Sequence, residues 1–114
     1  MKLPHEAELL RVFIGENDKY HGRPLYEAIV QDARKRGLAG ATVLRGQLGF
    51  GADSRLHSAK ILRLSEDLPL VIEIVDKPDR IAEFLPDLDE MIGEGLVTLE
   101  RVRVITYRHS SIDE

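Results

Sequence analysis

The run Leu70-Val71-Ile72-Glu73-Ile74-Val75 constrains this chain more than any other stretch. Branching at Cβ crowds a helix but suits a pleated surface, so a run dominated by Val and Ile reads as a strand. Pro69 precedes it and Asp76 stops it. Apolar residues at nearly every position place it at the centre of a sheet. Beyond Asp76 the period changes: Ile81, Phe84, Leu85, Leu88, Met91 and Ile92 recur at helical spacing. Asp76 is expected to cap that helix, and Pro86 to kink or interrupt it.

The first part of the chain repeats this order. Glu8 to Gly15 alternates as a strand, with Leu10, Val12 and Ile14 on one face and Leu9, Arg11 and Phe13 on the other. The polar stretch from Glu16 to Gly22 breaks it, and Pro24 suits the start of a helix whose apolar positions are Leu25, Ala28, Ile29 and Ala33. Arg34, Lys35 and Arg36 fill the last turn, where cations complement the helix dipole, and Gly37 supplies the C-cap. A second strand is expected from Gly40 to Leu48, a further extended piece at Ile61 to Leu64, and a final strand from Leu96 to Tyr107. The fold class is therefore α+β: a ferredoxin-like βαββαβ sandwich, an antiparallel sheet with both helices on one face. We expect a single domain over residues 1–114, with a core spanning about 8–107 and a polar tail at 109–114.

Composition removes several function classes. The chain has no cysteine, which excludes disulfides, thiolate metal sites and a catalytic thiol. His5, His21, His57 and His109 lack paired ligand spacing, so no metal site is expected. A net charge of −4, with both signs scattered, argues against nucleic acid as a partner. Residues 1–6 lack the apolar run of a signal peptide, and no stretch approaches the roughly 20 apolar residues of a membrane span. A cytoplasmic location without membrane insertion is expected. Asp87, Asp89 and Glu90 read as the solvated face of the second helix rather than a carboxylate pair for acid–base chemistry, so no catalytic residue is assigned.

The sheet face turned away from the helices is unusual. If Leu10, Val12, Ile14, Leu70, Ile72, Ile74, Val102 and Val104 point inward, the alternate positions mix apolar residues with Arg11, Arg45, Glu73, Arg101 and Arg103. A solvated antiparallel face would be polar, so a homo-oligomer is expected to cover this one. Four arginines facing a single glutamate would then need partners, from intersubunit ion pairs, a bound anion, or both.

The candidate site is the segment Arg45-Gly46-Gln47-Leu48-Gly49-Phe50-Gly51. Its glycines permit positive φ and close approach of a ligand to backbone amides, the way phosphates are cradled; equally, they suit a bulge and turn that ends a strand. A second turn, Gly93-Glu94-Gly95, reads alone as a helix C-cap, but paired with the first across a subunit boundary it would line a nucleotide pocket together with Arg101 and Arg103.

Four segments carry a resemblance: Gly22 to Val30, Gly40 to Gly46 with Gly49-Phe50-Gly51, and Lys60 to Pro69. In that order they resemble the PII-like family known as domain of unknown function 190, over residues about 8 to 107. The resemblance implies a trimer with its sheets facing the threefold axis and an adenine nucleotide as ligand in the clefts between subunits, with no cofactor required. It also implies a loop that touches a transporter or enzyme target, here residues 52–60, with Asp53, Ser54, Arg55, His57 and Lys60 as contacting side chains. No counterpart of the tyrosine uridylylated in PII proteins stands in that loop. The leading expectation is thus a ligand-sensing regulator; a small enzyme acting in the cleft and a structural oligomer without ligand are the alternatives.

Overall fold

The structure is a computed structural model that describes residues 6–47 and 67–108. Its elements are β1 (Glu6–Gly15), β2 (Lys19–Tyr20), β3 (Arg23–Pro24), α1 (Leu25–Lys35), β4 (Thr42–Arg45), β5 (Pro69–Asp76), α2 (Pro78–Met91) and β6 (Leu96–Arg103). The main sheet runs β4-β5-β1-β6 with every pairing antiparallel. This is the ferredoxin-like βαββαβ arrangement, with β5 in the interior as its apolar run requires. Among the described residues, no helix is long and apolar enough to cross a membrane.

The core forms between the sheet and the helices. Leu10, Val12 and Ile14 of β1 and Leu70, Ile72 and Ile74 of β5 meet Leu25, Ala28, Ile29 and Ala33 of α1 and Ile81, Phe84, Leu88 and Met91 of α2 in one buried cluster. Both helices therefore lie on one face, as the two periodicities dictate. α2 continues through Pro86, which is exposed, so the proline does not interrupt it.

Two connections depend on specific residues. Between β2 and β3 the two-residue loop His21-Gly22 has φ of 50° and 82°, the positive-φ pattern that matches strand twist in tight hairpins. At the end of α1, Gly37 at φ 78° lets its own amide bond the Arg34 carbonyl (3.0 Å) while the Leu38 amide bonds that of Ala33 (3.1 Å). That pair of bonds is a Schellman motif, and Leu38 then packs against the core.

Asp76 does not cap α2. The N-cap is Lys77, with no side-chain cap bond, and Pro78 fills the first helical position. Asp76 instead lies one residue further back, fully buried, and accepts hydrogen bonds from the amides of Ala39 (2.8 Å) and Lys77 (2.7 Å). Its carboxylate ties the α1–β4 connection to the end of the central strand.

The register also corrects the assignment of faces. Arg45 pairs with Leu70 and Val43 with Ile72, which puts Val43 and Arg45 on the helix side of the sheet. Leu99 pairs with Leu10, and Arg101 with Glu8, so Leu99, Arg101 and Arg103 share the helix side too, while Val102 shares the outer face with Leu9 and Arg11. Strand alternation separates two sets of side chains but does not say which set turns inward. On edge strands where both sets mix apolar and charged residues, only pairing decides. Of the four arginines, Arg11 alone belongs to the outer face. It is satisfied within the chain, by Glu73 at 2.9 Å and Glu100 at 2.5 Å. Glu73 first, then Glu100, hold its ionisation further above the ordinary arginine value.

The basic end of α1 is a clamp rather than a merely solvated terminus. Arg36 grips Asp87 of α2 with Nε (2.5 Å) and Nη2 (3.0 Å), and Arg80 of α2 donates to the carbonyls of Arg36 and Gly37. Asp32 lies beside the pair, 3.8 Å from Arg36. Burial, followed by the neighbouring Asp87, raises the Asp32 carboxyl, whereas the Arg36 hydrogen bond lowers that of Asp87. Asp32 Oδ2 is buried with no hydrogen-bond partner among the described residues, which disfavours its charged form. A carboxyl whose folded value is raised stabilises below its unfolded value and loses that contribution as pH rises through the folded one. Melting temperature measured against pH will therefore show wild type losing stability relative to Asp32→Asn as pH climbs above the usual carboxylate range. A difference that stays flat with pH would refute the raised Asp32 carboxyl.

Candidate functional site

Arg45 ends β4, and its guanidinium Nη2 donates to Glu16 Oε2. Both line a cavity of about 210 Å³ with Tyr26, Val43 and Leu70, between the helix side of the sheet and the first turn of α1. Sequence pattern singles out neither Glu16 nor Tyr26 as a site residue. Glu16 lies 29 positions from Arg45, and no local pattern links the two.

The glycines that flank Arg45 and open β6 have a packing reason. At Gly46 a Cβ would stand 2.8 Å from Pro69 Cγ, where the Gly46 amide bonds the Pro69 carbonyl at 2.7 Å. At Gly95 a Cβ would lie 2.9 Å from the Phe13 carbonyl oxygen. Close packing on the Pro69 ring at Gly46 and close approach of the Phe13 backbone at Gly95 thus explain both without a ligand. Gly93 faces open space, with nothing within 4 Å of where a methyl would stand, and Glu94 is exposed.

Gly46 abuts Pro69, which pairs with Gly15, and Gly95 abuts Phe13, so Gly46 and Gly95 lie at one end of the sheet. They occupy its opposite edges, β4 and β6, and three strand spacings of about 4.8 Å separate them by roughly 14 Å. Arg101 and Arg103 are not brought to that end. At about 3.4 Å per residue they lie roughly 17 and 24 Å along β6 from Leu96, opposite Glu8 and Glu6. Gly49, Phe50 and Gly51 lie outside the described residues, as do Asp53, Ser54, Arg55, His57 and Lys60.

A second, larger groove of about 430 Å³ lies between α1, α2 and the β2–β3 hairpin, lined in part by Arg23, Gln31, Asp32, Lys35 and Asp87. Its charges are largely engaged with one another: Arg23 donates to Gln31 and Arg36 holds Asp87. His21 stacks on Tyr20 with ring centroids 4.1 Å apart.

Comparison with known proteins agrees with this fold. The family model for domain of unknown function 190, described as Uncharacterized ACR, matches residues 7–104. A UPF0166 protein of Aquifex aeolicus is 40% identical over 102 residues, covering 88% of this chain and 94% of its own. One from Methanocaldococcus jannaschii is 36% identical over 95 residues, covering 82% and 87%. Among solved structures, a candidate PII-like signaling protein from Thermus thermophilus superposes with a TM-score of 0.60 at 15% identity, over 92% of this chain and 94% of that one. The CPII protein of Thiomonas intermedia, bound to ADP and bicarbonate, gives 0.58 at 18% identity over 87% and 88%. The same protein bound to ADP, AMP and acetate gives 0.56 at 16% identity over 91% and 92%. At these identities the structures are alike in fold.

Proposed function

Because the chain belongs to the family of domain of unknown function 190, we propose that it is a PII-like regulatory protein. It binds a small anionic ligand such as an adenine nucleotide in clefts between the subunits of a homotrimer, and it signals to a partner protein through residues 52–60. What supports this reading is that Gly46 and Gly95 lie at one end of the sheet on opposite edges. Within a chain the interior strands β5 and β1 stand between them. A neighbouring subunit that brings its β6 edge to this chain's β4 edge would join them around Arg45. The related fold that carries ADP and AMP supports the choice of nucleotide.

Calorimetric titration of the purified oligomer with AMP, ADP, ATP and cyclic AMP tests this. At least one will bind at about one per chain, and Arg45→Gln will weaken it about tenfold or more, the usual loss for a hydrogen bond to a charged group. Absence of binding by all four ends the nucleotide reading. Turnover of the bound nucleotide would shift the assignment to an enzyme.

A further inference from the structure

We infer that Glu16 is a built-in competitor for the anion at Arg45, so that every anionic ligand binds there by displacing it. This rests on the reading of Arg45 as an anion ligand given above. The Arg45 side chain is 61% exposed, whereas the Glu16 side chain is only 22% exposed and lies against the protein. Glu16 is engaged through one nitrogen, and the rest of the five-donor fork, without a partner among the described residues, can begin binding an incoming group before the carboxylate leaves.

The carboxylate is held in place from its own backbone. The Glu16 amide bonds the Leu68 carbonyl at 2.8 Å, the next amide, that of Asn17, bonds Asp67 Oδ1 at 3.2 Å, and the Gly15 amide bonds Asp18 Oδ2 at 3.0 Å. A tethered group of this kind acts at a high effective concentration, as a second ligand on a short linker does. With Glu16 engaged, the two charges at the mouth of the cavity cancel. An anion of any charge must therefore displace a carboxylate that is already in position, at the same cost. Glu16 thus sets the affinity of the Arg45 site, lowering it for every anion by a common factor.

Titration calorimetry with pyrophosphate, ADP and acetate, on wild type, Glu16→Gln and Arg45→Gln, separates the outcomes. Exposed ion pairs of this kind shift an equilibrium modestly, so Glu16→Gln will tighten pyrophosphate and ADP about two- to sixfold. It will raise acetate affinity by a similar factor, because the carboxylate displaced is the same. Glu16→Asp, which keeps the charge, will bind the probes more nearly as wild type does than as Glu16→Gln does. A residue that only shapes the turn would weaken binding when replaced, not strengthen it. If Glu16→Gln binds no more tightly than wild type while Arg45→Gln weakens binding, the competitor role is overturned and the Arg45 site stands. If Arg45→Gln binds as tightly as wild type, or if none of the three proteins binds any probe, the site itself fails and the competitor role with it.

Discussion

Replacing Asp76 with alanine will lower the free energy of unfolding by about 2–4 kcal/mol, the largest loss expected from any single polar side chain in the described structure. Each hydrogen bond to a charged group contributes about 1.5–3 kcal/mol. Asp76 accepts two, from Ala39 and Lys77, with no solvent exposure of its own. Both amide donors are only partly buried, so water recovers some of the loss in the variant, which keeps it below the full sum. The charge also lies at the N-terminal end of α2, where the helix dipole favours an anion. Asp76→Asn keeps an acceptor oxygen without the charge and will lose about half as much. Urea unfolding followed by circular dichroism measures both. A loss under about 1 kcal/mol for the alanine variant would mean that the carboxylate does not hold the α1–β4 connection.

The role of Asp76 shows what is legible in the sequence and what is not. An Asp directly after a strand and before a helix is a sound N-cap signal, because capping is a local pattern over three or four residues. Its actual donor, Ala39, is 37 positions away, and nothing in the local pattern points there. Burial periodicity is local in the same sense. Leu10, Val12, Ile14, Leu70, Ile72, Ile74 and the stripes of both helices are readable for that reason, and they are buried together except Leu85 and Ile92, which are partly buried against the cluster. The hairpin at Lys19 to Pro24 escapes a reading by pattern because His-Gly is a weaker turn signal than Asn-Gly, and the stretch reads only as polar. Edge strands fare worst. β4 stops at Arg45 rather than Leu48 and β6 at Arg103 rather than Tyr107, and on both strands the side facing the helices is the opposite of the one expected from alternation. A sheet edge has a neighbour on one side only, so its residues are mixed and carry little parity information. The candidate site stands on those edges. Arg45 and the two turns can be named from sequence, but Glu16, its partner, depends on tertiary contact.

The corrected faces sharpen the expectation for assembly. The outer face holds Leu9, Phe13, Val71 and Val75 from the two interior strands and Leu44 and Leu96 from the edges, with Leu44 48% and Leu96 56% exposed. Arg11, in its midst, already has two carboxylate partners in the same chain. Arg45, Arg101 and Arg103 lie on the other side, so the ion-pair network between subunits that four outward arginines would have demanded is not required. Association should then be driven by apolar burial, and salt at about 1 M, which screens exposed charges beyond about 3 Å, will not dissolve the oligomer. Val71 pairs with both Phe13 and Leu44, which puts it near the middle of the face. Val71→Lys will therefore dissociate the oligomer, weakening association by about a hundredfold or more, because an unpaired charge buried at an interface costs several kcal/mol per copy. The isolated subunit will remain folded, since position 71 is only half-buried and a lysine stem can lie along the sheet with its ammonium in water. Ala82→Lys, on the exposed side of α2, will leave assembly unchanged. Sedimentation equilibrium distinguishes these outcomes: a wild type that is monomeric at tens of micromolar, or a Val71→Lys variant that still assembles, would remove the sheet face as the contact. It would also remove the subunit boundary on which a cleft joining the two glycine turns depends.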